Sequence, residues 1–196
     1  MQDRIVSRDF YEADVLSVAK GLLGRLLVHC SEGGRTSGMI VETEAYSAEG
    51  DPSCHAWRGK TNRNAVMFGP PGRAYVYFIY GNHYCFNVVT NRVGRAEAVL
   101  IRALEPVEGM ETMHKRRGKH HQINNLTSGP GKLCAALGIG RSENGLSILE
   151  PPLFIAAYRE IETAAIGISG RIGISRGKEK PWRFFLRDNP FVSRMR

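Results

Sequence analysis

The stretch Tyr75-Val76-Tyr77-Phe78-Ile79-Tyr80-Gly81-Asn82-His83-Tyr84-Cys85-Phe86 decides how this chain folds. β-Branched and aromatic residues on both sides of Gly81-Asn82 read as two strands. Glycine at the first central position of a two-residue loop is a type II′ hairpin signal. Residues 73–80 and 83–90 are therefore predicted to pair antiparallel. Strand alternation places Tyr75 and Tyr77 on one face, and Phe78 and Tyr80 on the other. Both faces carry aromatics. Either the hairpin is a well-packed sheet element with amphipathic tyrosines, or some of its rings are offered to a ligand.

Outward from the hairpin, residues 7–24 read as a helix, with Val15, Leu16, Val18, Ala19, Leu22 and Leu23 at helical spacing and Gly21 and Gly24 marking its end. A short strand over 25–29, a turn at Gly33-Gly34 and a strand over 37–45 follow. Residues 47–72 are rich in Gly, Pro, Ser and Asn and read as one long loop, a length that in a compact domain usually serves function. Residues 98–104 form another strand, closed by Pro106, and 108–117 a helix. Ser128-Gly129-Pro130-Gly131 precedes a helix over 132–137, with Ser128 or a neighbour as its cap. Short strands are expected at 153–157, 164–168 and 182–186. The links are too short for parallel crossovers. The fold class is therefore mixed α/β (α+β), with a mainly antiparallel sheet and flanking helices. Residues 1–196 form a single domain without repeats.

The 196 residues suffice for one core, and 42% hydrophobic with 23% charged residues is ordinary for a globular protein. No apolar run approaches the roughly 20 residues of a membrane helix, and the N-terminus carries no signal-peptide core. A cytoplasmic protein is expected. Cys30, Cys54, Cys85 and Cys134 are widely spaced, which suits reduced thiols better than disulfides or a zinc site. The net charge is +8, divided unevenly between −2 over residues 1–60 and +10 over residues 61–196. Such an excess favours a polyanionic partner.

Four segments can carry chemistry. Ile40-Val41-Glu42-Thr43-Glu44-Ala45-Tyr46 ends a strand in two glutamates that share a face. Glycosidic cleavage commonly uses paired carboxylates. The alternatives are a solvated strand face, or a structural Glu42 held by an arginine or a backbone amide. In the hairpin, Tyr80 at the tip can wedge between bases, and Tyr77 can offer a flat face to a flipped base. The run His114-Lys115-Arg116-Arg117-Gly118-Lys119-His120-His121 reads as a phosphate-contacting loop or a solvated one. Residues 127–132 (TSGPGK) would aim helix N–H groups at a phosphate. Gly59-Lys60-Thr61 lacks the leading glycine of a phosphate-binding loop, which removes nucleotide hydrolysis. No HExxH, zinc-deaminase or EF-hand pattern is present, so neither a metal nor another cofactor is expected. His55, alone in the long loop, reads by itself as a surface residue.

Together these segments resemble the alkyladenine (3-methyladenine) DNA glycosylase family. The matching runs are 40–46 (IVETEAY), 62–68 (NRNAVMF), 75–81 (YVYFIYG), 100–112 (LIRALEPVEGMET), 128–134 (SGPGKLC) and 181–193 (PWRFFLRDNPFVS). They cover nearly the whole chain in order. The resemblance implies a curved antiparallel sheet and a protruding hairpin that intercalates into DNA. It implies Glu44 as general base, with Tyr46, His55 and Tyr77 enclosing a flipped base. Asn87 and Arg102 would line the pocket, and Tyr80 would fill the gap in the duplex. Arg63 and Lys132 would contact the DNA backbone. The substrate would be double-stranded DNA containing alkylated or deaminated purines, acted on by a monomer.

That chemistry is coherent. A glycosidic bond inside a duplex is reached only by flipping the nucleotide. An alkylated purine is cationic and a better leaving group, and each aromatic contact favours such a cation by roughly 0.5–2 kcal/mol. A carboxylate can then take the proton of the attacking water. No lysine is clearly placed for a Schiff base, so simple hydrolysis to an abasic site in base-excision repair is expected. Two other readings use the same features: a non-catalytic protein that binds damaged DNA through the hairpin, and an RNA- or carbohydrate-acting enzyme built on Glu42 and Glu44.

Overall fold

The structure, a computed structural model, describes residues 3–118 and 121–193. Its strands are β1 (Leu26–Ser31), β2 (Gly34–Ser47), β3 (Ala74–Ile79), β4 (His83–Val89), β5 (Glu97–Glu108), β6 (Leu149–Glu150), β7 (Leu153–Ala156), β8 (Ile166–Ser169) and β9 (Arg183–Leu186). The helices are α1 (Arg8–Tyr11), α2 (Val15–Gly21), α3 (Met110–Arg117) and α4 (Pro130–Leu137). The main path of the sheet runs β3-β4-β5-β2-β1-β7-β6, with β9 also on β2 and β8 on β9. Every pairing is antiparallel. The α+β class and the curved antiparallel sheet expected from the sequence are what the chain forms.

β2 organises the sheet. It pairs β5 along 37–47, β1 along 34–39 and β9 along 42–44. It is buried nearly from end to end because neighbours cover both edges. The register between β2 and β5 shifts after Ser37 and on both sides of Glu42, stepping past Val41 on β2 and Arg102 on β5. Such bulges bend a strand and re-aim its side chains. Pro106, expected to close β5, lies inside it opposite Gly38 at one of these irregularities, a position that tolerates proline's missing donor. Only glycine suits position 38, because a Cβ there would meet the Leu104 Cβ at 2.9 Å.

Strand alternation divides the sheet into two faces. On one, Ala45, Val76, Phe86, Val88, Val99 and Ile101 pack with α2, α3 and α4 in the main core. The Thr43 hydroxyl donates to the Ala19 carbonyl of α2 at 2.9 Å. On the other face, Tyr75, Val89, Ala96 and Ala98 pack with Cys54 and Met67 of the 48–72 segment. The predicted long loop is thus a second, smaller core, with one 3₁₀ turn at Ala65–Phe68. Asn64 organises it by donating to the carbonyls of His55 and Gly59 and accepting from the Thr61 amide.

Several local expectations change. The single helix over 7–24 is two, because the Asp14 side chain caps α2 by accepting from the amides of Leu16 and Ser17. The turn of the aromatic hairpin is shifted by one residue. Ile79 pairs with His83, and Tyr80 and Gly81 carry φ of 53° and 73°. Two consecutive positive φ values are the mark of a type I′ turn rather than type II′, and Tyr80 is exposed there. Ser128 does not cap α4. The cap position is Gly129, without a side-chain bond, and the Ser128 oxygen accepts from the Lys132 ammonium instead.

Candidate active site

A cavity of about 610 Å³ opens on the sheet face opposite the helices, within the usual range for small-molecule sites. Tyr46, His55, Tyr77, Asn87 and Arg102 line it, with Tyr80 at its rim. The predicted pocket residues come from β2, the 48–72 segment, β3, β4 and β5, and the fold brings them together.

Glu44 is fully buried beneath this cavity. Its Oε1 accepts from the Ile172 amide at 2.7 Å and meets Arg102 Nη1 at 3.2 Å. Its Oε2 accepts from the Tyr46 hydroxyl at 2.8 Å. All three donor residues line the cavity. A carboxylate offers about four lone-pair sites, so one on Oε2 is left for a further donor such as water. Burial and the Glu44 charge push the Tyr46 phenol well above its ordinary range, so it stays protonated and keeps donating.

Glu42 shares the face of Glu44 but does different work. Its Oε1 accepts from Arg102 Nε at 3.0 Å, Arg183 Nε at 2.7 Å and the Ser193 hydroxyl at 2.8 Å. Its Oε2 accepts from the Ser193 amide at 2.7 Å. The solvated-face alternative is therefore wrong for both glutamates, and the arginine-and-amide reading of Glu42 is right. The bulged Arg102 is the bridge, with one edge on Glu42 and the other on Glu44. Burial weakens its charge, but the two carboxylates outweigh that and raise its pKa.

The opposite wall is aromatic. The rings of His55 and Tyr77 lie edge to face at 4.5 Å, and those of Tyr75 and Tyr77 are tilted by 39° at 5.4 Å. His55 Nδ1 pairs with the Tyr75 hydroxyl at 2.9 Å, so this histidine is no idle surface residue. Asn87 donates to the Tyr75 carbonyl at 3.0 Å. Burial pushes the Tyr75 phenol up to about 12 and the Tyr77 phenol higher still. Burial and the Arg63 charge lower the His55 pKa. His55 should thus titrate below the ordinary histidine value of 6.5 and be neutral at pH 7. Because the folded value lies below the unfolded one, stability from this group is fully present above about 6.5 and is lost as pH falls below that towards the folded value. NMR titration of the ring checks this, and a midpoint above 6.5 contradicts it.

The comparisons with known proteins bear on the whole chain. A sequence model described as "Methylpurine-DNA glycosylase (MPG)" matches residues 9–190. The chain belongs to the methylpurine-DNA glycosylase family. A protein of Chlorobaculum parvum is 51% identical over 189 residues, covering 96% of this chain and 90% of its own. One of Carboxydothermus hydrogenoformans is 51% identical over 191 residues, covering 97% and 99%. One of Methanoculleus marisnigri is 51% identical over 188 residues, covering 94% and 96%. Each of these relatives is named "Putative 3-methyladenine DNA glycosylase".

In this member of the methylpurine-DNA glycosylase family, the remaining expected contacts fare unevenly. Tyr80 is 79% exposed at the hairpin tip. Arg63 is exposed beside it, donating to the Phe78 carbonyl at 3.4 Å with its guanidinium over the Tyr77 ring. Lys132 is half-buried, with its ammonium on Asn125 and Ser128. The basic segment is mostly not a loop. Residues 114–117 end α3, where Arg116 donates to the Ser31 hydroxyl and the Ala136 carbonyl, and Arg117 to the Asn125 carbonyl. Lys119 and His120 lie outside the described residues. The four cysteines are unpaired thiols. Among the described residues no cluster could hold a metal, and no helix is long and apolar enough to cross a membrane.

Sequence reasoning missed one wall of the cavity altogether. Ile172–Arg176 and Trp57-Arg58 line it, and the Ile172 amide caps Glu44. A backbone donor leaves no trace in residue identity.

Proposed function

We propose that this chain is a monofunctional DNA N-glycosylase. It flips an alkylated or deaminated purine from double-stranded DNA into the cavity and hydrolyses its N-glycosidic bond, leaving an abasic site. The observation that carries the reading is a buried carboxylate, Glu44, beneath an aromatic cavity, with one lone-pair site of Oε2 unclaimed by donors among the described residues. Family membership supports the same activity.

The purine lies against Tyr77 and His55, whose electron-rich faces favour a cationic, alkylated base. Neutral His55 adds no opposing charge. Water seated beside Oε2 gives its proton to Glu44 as it attacks C1′ of the sugar. Arg102, Tyr46 and the Ile172 amide hold the carboxylate in place for that step. An alkylated base leaves neutral with the bonding electrons, already activated by its positive charge; a deaminated base, neutral at the start, leaves as an anion and takes a proton from solvent. The excess positive charge of residues 61–196 draws the DNA phosphates, with Arg63 and Lys132 on the backbone side.

The test is a panel of duplexes carrying 3-methyladenine, 7-methylguanine, hypoxanthine or ethenoadenine, with free base measured after incubation. Release from at least one duplex is expected. Binding of damaged duplexes without release from any would favour a non-catalytic damage-binding protein.

Tyr80 fills the vacated space in the duplex. Because it is so exposed, Tyr80→Ala should leave the circular dichroism spectrum and melting point unchanged. Loss of one stacking contact, about 1–3 kcal/mol, should slow release or weaken binding by roughly 5- to 150-fold. A variant that unfolds would make Tyr80 a structural residue, and one with wild-type release would remove the wedge.

A further inference from the structure

We propose that Asp51 and Arg171 form a positioning pair that joins the base-binding wall of the cavity to its hydrolytic end, an inference that rests on the glycosylase reading above. The two side chains are fully buried and meet in a bidentate ion pair, Nη1 to Oδ2 at 2.6 Å and Nη2 to Oδ1 at 2.7 Å. The same guanidinium donates to the Ala45 carbonyl at 2.9 Å and the Gly177 carbonyl at 3.3 Å. It therefore ties the end of β2, the turn that begins at Asp51 and the 170–177 segment into one unit.

The connections lead to groups that touch Glu44 or line the cavity. The residue after Arg171 is Ile172, whose amide donates to Glu44 Oε1 at 2.7 Å. The guanidinium lies 4.6 Å from the centre of the Tyr46 ring, and the hydroxyl of that ring donates to Glu44 Oε2 at 2.8 Å. Of the three residues that contact Glu44, the two that donate hydrogen bonds are thus held by Arg171, which makes no hydrogen bond of its own to Glu44. On the other side, the Asp51 carboxylate accepts from the Ser53 amide at 3.1 Å, and the Asp51 main-chain carbonyl from the Cys54 amide at 3.0 Å. That turn delivers His55 to the aromatic wall. The Ser53 hydroxyl also reaches the Arg176 carbonyl, so the two cavity-framing segments are stitched a second time at the rim.

Stability alone is a poor account of this pair. Burying both charges costs several kcal/mol each in desolvation, and apolar side chains of similar volume often serve as well. What apolar packing cannot do is fix a planar fork that orients a peptide N–H, a phenol and a turn together. Displacement of a catalytic group by about 1 Å can cost 10²-fold in rate.

Arg171→Lys is the test, because it keeps the charge but loses the fork and the stacking surface. Single-turnover base release, Kd for a duplex containing an abasic site, and NMR signals of the His55 ring and the Trp182 indole are read on the same sample. Trp182 reports on the pair because the Arg171 guanidinium lies 5.3 Å from its ring. Release should slow about 100-fold while Kd changes less than threefold, and both NMR signals should move. Adding Asp51→Glu, which lengthens the acid to meet the shorter base, should recover at least fivefold in rate. Should Arg171→Lys fail to fold, Asp51→Asn, which keeps the side-chain shape, carries the same expectations. Wild-type release from a folded variant would overturn the proposal. So would a rate loss that only tracks the unfolded fraction, with the His55 and Trp182 signals of the folded fraction unmoved. If the wild-type protein releases no base, the glycosylase reading is at fault, and the pair is judged on the two NMR signals alone.

Discussion

Glu44→Gln should reduce base release at least 10³-fold while leaving damaged-DNA binding within about threefold of wild type. General base catalysis contributes roughly 10²–10⁴-fold, and among the described residues no other carboxylate lines the cavity to substitute. Glu42, the nearest candidate by sequence, is held by Arg102, Arg183 and Ser193, and of these only Arg102 lines the cavity. Glutamine keeps the volume, and its one carbonyl oxygen can accept from the Ile172 amide while its NH2 faces the Tyr46 hydroxyl, which then turns from donor to acceptor. What it loses is the proton acceptor and the charge facing Arg102, a loss of about 1–3 kcal/mol, which a protein of ordinary stability tolerates. Single-turnover release beside a binding isotherm separates the two effects. A folded Glu44→Gln enzyme that keeps more than a tenth of the wild-type rate would make Glu44 a structural residue.

Arg102→Ala should be the most destabilising single change at the site. Arg102 is the shared counter-charge of two fully buried carboxylates, at 3.0 Å from Glu42 and 3.2 Å from Glu44. Without it Arg183 stays on Glu42, at 2.7 Å, and Glu44 has no cation within ion-pair distance among the described residues. Breaking a buried pair from one side costs about 3–5 kcal/mol. For a chain of this size that lowers Tm by roughly 6–20 °C. Arg102→Lys should fall between, since a lysine supplies the charge without reaching both carboxylates in one plane. Calorimetry decides. A Tm shift below 2 °C for Arg102→Ala would show that the two glutamates do not depend on it.

Much of this arrangement was legible in the sequence because it is local. The hairpin follows from alternation around a glycine turn, and the shared face of Glu42 and Glu44 from a two-residue strand period. The pocket residues Tyr46, His55, Tyr77, Asn87 and Arg102 were named through a resemblance carried by contiguous runs, and they do line one cavity. The unread parts are non-local. β9 lies beside β2 although about 140 residues separate Glu42 from its partner Phe185, and no periodicity announces that pairing. The bulge that turns Arg102 between the glutamates is a property of two strands, not of either. Arg171 stands in an unremarkable stretch, Ile168-Ser169-Gly170-Arg171-Ile172, and acquires meaning only from Asp51, 120 residues away. In the basic segment a charge run reads as a phosphate-contacting or a solvated loop, whereas Arg116 donates to the Ala136 carbonyl of α4 and the Ser31 hydroxyl, and Arg117 to the Asn125 carbonyl.

The central claim is that water, activated by Glu44, cuts the glycosidic bond. The most direct measurement is to incubate the wild-type enzyme with a duplex carrying an alkylated purine in the presence of borohydride, and to analyse both the free base and the DNA. The expected result is free purine and an unbroken strand with an abasic site, with no protein attached. A trapped enzyme–DNA adduct, or a strand nicked at the lesion, would contradict it by showing that an amine rather than water attacks the sugar.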